Sequence, residues 1–431
     1  MKIFEYGKDD LESLFESLQR RAPEGRRDVE EKVSEILRDV RERGDQALYE
    51  YTLKFDGVSV PIQDLEVPKK EIEKALSDMD KELIETIERS AANIRAYHER
   101  QRENSWFMTR EDGTILGQKV TPLSRVGVYA PAGTAPLPST VLMDIIPARV
   151  AGVEEVILCS PPQKDGKVNP VILACAMVAG ADRVFAVGGA QAIGAMAYGT
   201  RTIPMVDKIV GPGNIYVATA KKQVFGICGI DMIAGPSEVL IIADETANPE
   251  YVAADLLSQA EHDLLASSIL VTTSTTLAEA VVKAIEVQTQ KLARNEIINK
   301  SLDAYGAIVV VPNLDEAVKI SNRIAPEHLE INTQDPFALL SGIQNAGAIF
   351  LGEYSPEPVG DYFAGPNHTL PTAGTARFFS PLGVYDFIKR SSIISYTRKA
   401  LMEAAPYVSS FADAEGLQAH AESIRIRCRN Q

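Results

Sequence analysis

From about residue 125 onwards, short runs of β-branched residues alternate with segments long enough to form helices. The runs that we predict as strands are RVGVYAP, EEVILCS, RVFAVGG, KIVGP, EVLIIAD, SILVTT, AIVVV and AIFLG. Two neighbouring parallel strands need a crossover of a dozen or more residues between them, and this crossover is usually a helix. The alternation therefore predicts an α/β fold with mainly parallel sheets.

Helical patterns flank this α/β region at both ends of the chain. Near the N-terminus, apolar residues fall on one helical stripe at Val29, Val33, Ile36, Val40 and Leu48. A second and longer helical pattern runs over residues 68–94. The C-terminal residues again show a helical pattern and end in EGLQAHAESIRIR.

The composition restricts the class of protein. With 431 residues, 45% of them hydrophobic, the chain is long enough for two or three globular domains. A net charge of −15 argues against a nucleic-acid partner. The four cysteines form no C-x-x-C pair, and the N-terminus lacks the apolar core of a signal peptide. Because the longest apolar run, residues 171–181, is too short to span a bilayer, we predict a cytoplasmic enzyme.

Four of the five histidines stand close to carboxylate or amide side chains. In SQAEHD, Gln259 and His262 would share one face of a helix, where they could bind a metal or form an ordinary solvated edge. His368 follows Asp361 by seven residues, and His420 lies in EGLQAHAE. Each pair alone is a weak signal, and the absence of H-E-x-x-H excludes the zinc-protease motif.

The segment APEHLEI places Glu327 directly before His328. A histidine suits general base catalysis near neutral pH, and a buried glutamate with a raised pKa can activate water. The segment also fits a helix N-terminus, with Pro326 in the first turn and Glu327 interacting with the helix dipole. These two interpretations are compatible.

Two further regions are candidates for ligand binding. Residues 353–383 are rich in glycine and proline but also carry aromatic residues, which is typical of a functional loop. The segments AVGGAQAIGAMAYG and VGPGNIYVATAKKQV each predict a strand, a glycine turn and a helix. Such turns either bring backbone N–H groups to a phosphate or serve only as tight connections. Neither G-x-G-x-x-G nor a Walker A motif is present.

Taken together, these segments resemble the histidinol dehydrogenase family from about residue 25 to the C-terminus. The segments that carry the resemblance are VGVYAPAGTAPLPSTVLM, GGAQAIGA, GPGNIYV, DMIAGPSEVLIIAD, DLLSQAEHD, IAPEHLEI, VGDYFAGPNHTLPTAGTARF and EGLQAHAE.

The resemblance implies an enzyme that oxidises L-histidinol to L-histidine in two successive NAD-dependent steps, through an aldehyde. It implies one zinc ion per subunit, bound by Gln259, His262, Asp361 and His420. It implies catalytic roles for Glu327 and His328, and NAD contacts from Tyr129, Gln191 and Asn214. It implies substrate contacts from Ser237, Gln259, His262, His328, Asp361, His368, Glu415 and His420.

The family's fold implies two incomplete Rossmann-like (aldehyde-dehydrogenase-like) α/β domains with helical N- and C-terminal arms. The implied division is an N-terminal arm at 1–24, a first α/β domain at 25–128 and 238–381, an NAD-binding domain at 129–237, and a dimerisation arm at 382–431. In such a homodimer, Glu415 and His420 would complete the partner's site.

Three alternatives stay open. A paralogue on the same scaffold would oxidise another small polar alcohol, such as a sulfonated diol. A zinc hydrolase would use the same ligands with Glu327 as its base, but it leaves the two glycine turns without a role. A cysteine nucleophile is the less favoured mechanism, because no cysteine lies in a matched site motif.

Overall fold

The computed structural model describes residues 1–19, 21, 27–132 and 136–429. Within these residues the strands, numbered in chain order, are β1 (Lys2–Glu5), β2 (Trp106–Thr109), β3 (Ile115–Pro122), β4 (Arg125–Tyr129), β5 (Glu155–Ser160), β6 (Arg183–Ala186), β7 (Lys208–Val210), β8 (Gly229–Ile230), β9 (Glu238–Ala243), β10 (Ser267–Thr272), β11 (Gly306–Val310), β12 (His328–Asn332), β13 (Ala348–Leu351) and β14 (Ile388–Ser395).

The helices of the same residues are α1 (Leu11–Gln19), α2 (Arg27–Arg43), α3 (Asp45–Phe55), α4 (Lys69–Ser77), α5 (Lys81–Glu99), α6 (Pro138–Ala151), α7 (Pro170–Ala179), α8 (Gly189–Tyr198), α9 (Ile215–Val224), α10 (Pro249–Ala260), α11 (Thr275–Thr289), α12 (Asn295–Tyr305), α13 (Leu314–Ile324), α14 (Pro336–Leu340), α15 (Glu357–Val359), α16 (Arg398–Ala414) and α17 (Gln418–Arg429). Short helical turns follow at Ile62–Asp64, Gly360–Ala364, Thr375–Arg377 and Val384–Phe387. None of the described helices is long and apolar enough to cross a membrane.

The chain divides into two compact units. Unit 1 comprises Met1–Gln101 and Leu123–Phe387, and unit 2 comprises Arg102–Pro122 and Ile388–Gln431. The four-part division that the resemblance implies stays a prediction, and its boundary between residues 24 and 25 lies outside the described residues.

Unit 1 contains two fully parallel sheets. The six-stranded sheet has the order β1-β11-β10-β9-β12-β13, and the five-stranded sheet has the order β6-β5-β4-β7-β8. Every strand pair in both sheets is parallel. The predicted α/β fold class is therefore confirmed, and helices lie at both ends of the chain, as predicted.

The eight predicted strands are all present because their apolar runs are buried in these sheets. All six residues of β9 and all six of β10 are buried, as expected for strands with both faces covered by other elements. Of the strands in these two sheets, sequence analysis missed β1, β8 and β12. The segment after Pro326, which also fitted a helix N-terminus, begins strand β12 at His328 instead.

Each of the two predicted N-terminal helices is divided in two. Gly44, at φ 55°, separates α2 from α3 in a conformation that favours glycine. Asp80 starts α5 by accepting hydrogen bonds from the backbone N–H groups of Glu82 and Leu83. The predicted apolar stripe of α2 and α3 is buried at Val29, Val33, Ile36, Val40 and Leu48.

Unit 2 consists of an antiparallel sheet, in the order β14-β3-β2, and the helices α16 and α17. The helices α16 and α17 agree with the helical pattern predicted for the C-terminal residues. The sheet was not predicted, because its strands carry mixed polar and apolar residues and are largely exposed.

Candidate active site

The predicted catalytic residues Glu327 and His328 lie at the amino end of β12, and both are buried. Strand β9 packs beside β12, and its first residue, Glu238, contacts both of them. The backbone N–H of Glu238 donates to Glu327 Oε2 at 2.9 Å. Its carbonyl oxygen lies 3.1 Å from His328 Nδ1. Because a carbonyl can only accept, Nδ1 of His328 carries a proton, and in the neutral imidazole Nε2 presents a lone pair.

The free nitrogen of His328 faces an acidic group. His328 Nε2 lies 3.8 Å from Asp361 Oδ1, beyond hydrogen-bonding distance, and it has no hydrogen-bond partner among the described residues. His328, Glu357 and Asp361 offer ligand atoms that all lie within 4.8 Å of one another. This arrangement of one imidazole and two carboxylates suits a divalent cation.

The electrostatics of this group follow from burial and proximity. Burial opposes the charge of His328, but the carboxylates of Glu327, Glu357 and Asp361 outweigh it and hold the pKa of the imidazole well above 6.5. Burial raises the pKa of Glu327 to about 8, against the effect of His328. Burial also acts to raise the pKa of Asp361, but the nearby histidines outweigh it and lower the pKa of this carboxyl.

The carboxyl groups of Asp255, Glu330 and Glu357 lie close together beside His328 and Asp361. The backbone N–H of Glu357 donates to Glu330 Oε1 at 2.9 Å, and the Ser258 hydroxyl donates to Glu357 Oε2 at 3.2 Å. Burial raises the pKa of both glutamates, and that of the neighbouring Asp255 to about 6. So many carboxyl groups in one buried place favour the binding of positive charge.

Two of the predicted zinc ligands lie at the C-terminal end of α10. Gln259 is fully buried, and its amide oxygen and nitrogen have no partner within the described part of the chain. His262 is exposed, and its backbone N–H donates to the Gln259 carbonyl at 3.2 Å. His262 lies close enough to lower the pKa of Asp361. His262 and Asp361 therefore lie near one another, but the ligand atoms that lie within 4.8 Å of one another around Asp361 belong to His328 and Glu357.

The predicted substrate residue His368 is half-buried beside Asp361. Its Nδ1 lies 3.1 Å from the Asp361 carbonyl oxygen, and its Nε2 lies 3.3 Å from the hydroxyl of Thr140 on α6. Burial lowers the pKa of His368. Ser237 directly precedes β9, where its carbonyl accepts from the Ser267 N–H at 3.1 Å.

The predicted NAD residues lie at the end of β4 and at the starts of α8 and α9, which follow β6 and β7 of the five-stranded sheet. Tyr129 ends β4, and its hydroxyl accepts from the backbone N–H of Gly189 at 3.1 Å. Gln191 is buried on α8, and neither polar atom of its amide has a partner among the residues described. Asn214 caps α9 by accepting from the N–H groups of Tyr216 and Val217 at 3.0 and 3.2 Å.

The last two predicted residues belong to unit 2. Glu415 follows the end of α16, and His420 lies in α17. Both are exposed. Their roles in the site stay predictions.

Sequence analysis did not find Glu357, Glu238 or Thr140. Glu357 lies four residues before Asp361 in a proline-rich segment, and that spacing was the signal for it. The other two act through contacts between distant segments, for which the sequence has no local pattern.

The comparisons with known proteins agree with one another. A model of the histidinol dehydrogenase family matches residues 19–428. The histidinol dehydrogenase of Aquifex aeolicus is 55% identical over 429 residues, covering 99% of both chains. That of Clostridium acetobutylicum is 52% identical over 427 residues, also covering 99% of both. The crystal structure of histidinol dehydrogenase from Elizabethkingia anophelis superposes with a TM-score of 0.93 at 39% identity, covering 100% of this chain and 98% of that one.

These matches define an oxidoreductase with an α/β fold. The chain belongs to the histidinol dehydrogenase family.

Proposed function

We propose that this enzyme oxidises L-histidinol to L-histidine with two molecules of NAD, through an aldehyde, at a zinc site built around Asp361. The observation that carries the proposal is the buried Glu327–His328 pair, which faces Asp361 in a member of this family. The proposal extends to a homodimer in the cytoplasm whose two sites are shared between subunits.

His328 is the base for the hydroxyl proton. Its Nδ1–H is held by the Glu238 carbonyl at 3.1 Å, so that Nε2 is the atom that accepts a proton. This orientation resembles the way in which a third group orients the histidine of other base-catalysed sites. When bound, NAD would accept the hydride from the carbon that carries this hydroxyl, which would leave the aldehyde.

Glu327 activates the water that adds to the aldehyde. Its pKa of about 8 makes the ionised carboxylate a stronger base than an exposed glutamate. The hydrate that results can lose the second hydride. Since the two residues are adjacent in sequence, one strand end serves both steps.

Gln259, His262 and Asp361, with His420 of the second subunit, are the residues that would hold zinc. The fit rests on the buried Gln259 amide, whose oxygen and nitrogen have no partner within the described residues, and on the close group of His328, Glu357 and Asp361. When bound, zinc supplies charge that offsets these carboxylates and lowers the pKa of His328, and it orients the imidazole and amine nitrogens of the substrate.

Tyr129, Gln191 and Asn214 would bind NAD at the carboxyl ends of β4, β6 and β7. The unpartnered amide of Gln191 supports this role. A Cβ on Gly211 would lie 2.2 Å from the Tyr129 carbonyl oxygen, so only glycine allows this close turn. Ser237, His368 and Glu415 would contribute further substrate contacts.

Exposed apolar side chains on unit 2 support the homodimer. Ile394, Tyr407 and Phe411 are 70%, 75% and 75% exposed, which is unusual for residues of this size. A second copy of the chain would cover them. The four cysteines are free, and three of them are buried, which fits a reducing compartment.

The test is a stoichiometry. Purified enzyme with L-histidinol and excess NAD should form two NADH per histidine, and a chelator should abolish the reaction until zinc is restored. Turnover of another small polar alcohol with none of histidinol would identify a paralogue with a different substrate. Hydrolysis without NADH formation would identify the zinc hydrolase.

A further inference from the structure

The two proposed catalytic residues share one support, which is the backbone of Glu238. Its N–H holds Glu327 Oε2 at 2.9 Å, and its carbonyl holds His328 Nδ1 at 3.1 Å. The position of this single residue therefore sets the direction of both catalytic side chains. A shift at the start of β9 would displace both of them together.

The side chain of Glu238 ties this backbone to a distant part of the chain. Arg21, beyond the end of α1, forms a salt bridge with Glu238 through Nη2, and both side chains are almost fully buried. Arg21 Nη1 also donates to the Leu265 carbonyl at 2.8 Å. The guanidinium lies 5.5 Å from the centre of the Tyr305 ring. Arg21 thus joins the start of β9 to the segment that leads into β10.

Stability alone is a weak explanation for such a pair. The desolvation of two buried charges offsets much of their attraction, and apolar residues of similar size are often as stable or more so. What the salt bridge provides, and apolar packing does not, is a directional anchor. A guanidinium held by two separate groups fixes its partner carboxylate in place.

We propose that Arg21 and Glu238 form a positioning pair, which holds the first residue of β9 so that Glu327 and His328 keep their working orientation. This inference rests on the proposed roles of Glu327 and His328. Arg21 touches neither the reacting atoms nor the substrate and acts only through Glu238. Misplacement of a catalytic group by about 1 Å can cost on the order of 100-fold in rate.

The test separates chemistry from folding by single-turnover kinetics. The folded fraction, measured by circular dichroism, gives the concentration of active enzyme, and with this folded enzyme in saturating excess over histidinol the rate constant of NADH formation measures the chemical step. For Arg21→Met we expect the rate constant to fall by about 10- to 100-fold with the folded fraction preserved. A pair that only stabilises the fold would lower the folded fraction and leave the rate constant unchanged, which would overturn the proposal.

The double variant Arg21→Met/Glu238→Met keeps the test decisive if the single variant folds poorly. It removes both buried charges, so its unfolding midpoint should return towards that of the wild type, while the rate constant stays low. A wild-type rate constant in this variant would overturn the proposal. Arg183→Met is the matched control, because Arg183 on β6 forms a salt bridge with Glu66 away from this site. This substitution should leave the rate constant unchanged.

His328→Asn separates this inference from the function on which it rests. If His328→Asn keeps the wild-type rate constant, the proposed catalytic role is wrong. If His328→Asn is slow but Arg21→Met is not, only the positioning role is wrong.

Discussion

The two parallel sheets of unit 1 place their candidate site residues at opposite ends of their strands. In the five-stranded sheet, Tyr129 is the last residue of β4, and Gly211 directly follows β7. In the six-stranded sheet, Glu238 and His328 are the first residues of β9 and β12. One candidate site thus lies at carboxyl strand ends and the other at amino ends.

The difference separates two ways of building a site. At the carboxyl ends, tight glycine turns expose backbone N–H groups, which suits the phosphates of a dinucleotide. At the amino ends, helices return from the far side of the sheet, so α10 brings its C-terminus and Gln259 there. A helix C-terminus carries partial negative charge, which together with Asp361 and Glu357 suits a cation.

The carboxyl end of β9 shows the contrast within one sheet. Asp244 follows this strand, but both of its carboxylate oxygens already accept backbone hydrogen bonds. They accept from Gln334 N at 2.9 Å and from Thr246 N at 3.0 Å. The rule that α/β sites lie beyond carboxyl strand ends therefore does not describe the six-stranded sheet.

The largest expected effect is loss of the cation at the amino ends. Asp361→Ala removes the carboxylate that faces His328, so we expect loss of bound zinc and a fall in kcat of about 1000-fold or more. Atomic absorption of the purified variant measures the first effect, and NADH formation the second. Tyr129→Phe, at the opposite strand ends, is the control and should retain full zinc content. A normal zinc content in Asp361→Ala would contradict the assigned ligand.

The next effect distinguishes the two adjacent residues that we propose as catalytic. Glu327→Gln keeps the shape of the side chain but removes the base, so oxidation of the aldehyde should slow by about 100-fold and that of the alcohol by much less. Both half-reactions can be followed separately by supplying histidinol or the aldehyde. Equal losses in the two would argue against a water-activating role for Glu327.

The two strand ends also differ in how much the sequence predicts. The glycine turns can be recognised in the sequence because the strand, the glycines and the helix of each turn follow one another directly, as in VGPGNIY. The amino-end site is assembled from separate segments, and its residues were joined into one site only through the family resemblance. The resemblance assigns no role to Glu357 or Glu238. Their contribution depends on burial and on hydrogen bonds between residues that are 27 and 90 positions apart. The parallel sheets were predictable, because buried strands are continuous apolar runs.

A third prediction asks whether the amino-end site needs a residue from unit 2 of another subunit. His328→Asn and His420→Asn should each be inactive as homodimers. Mixed after subunit exchange, they should regain about a quarter of the wild-type activity, since half the dimers are mixed and each has one intact site. Subunit exchange is verified by native mass spectrometry. If mixed dimers form without regaining activity, His420 does not act across subunits.

At the carboxyl ends, backbone geometry should matter more than charge. Gly211 has φ 111°, and an added Cβ would lie 2.2 Å from the Tyr129 carbonyl oxygen. Gly211→Ala should raise KM for NAD by about tenfold and lower the free energy of unfolding by about 2 kcal/mol. Gly226→Ala is a matched control, because Gly226 has φ 101° but open space around it. Equal effects of the two substitutions would mean that strain, and not the close contact, is responsible.

The smallest effect tests whether the proposed NAD side contains a charge-sensitive group of its own. Asp144 on α6 is fully buried, and Oδ1 accepts from the Thr369 hydroxyl at 2.8 Å. Burial, with Asp231 nearby, raises the pKa of Asp144 from 3.8 to about 8. A raised pKa in the folded state contributes stability below pH 3.8, and that contribution is lost as the pH rises towards 8.

Asp144→Asn has the same shape but no proton to lose, so its stability should not fall over this range. Between pH 5 and pH 8.5, the free energy of unfolding of the wild type should fall by about 1–3 kcal/mol relative to Asp144→Asn. Urea unfolding of both proteins at the two pH values measures the difference. Parallel pH dependence of the two proteins would show that Asp144 does not titrate in this window. In that case the charge sensitivity would be confined to the amino strand ends.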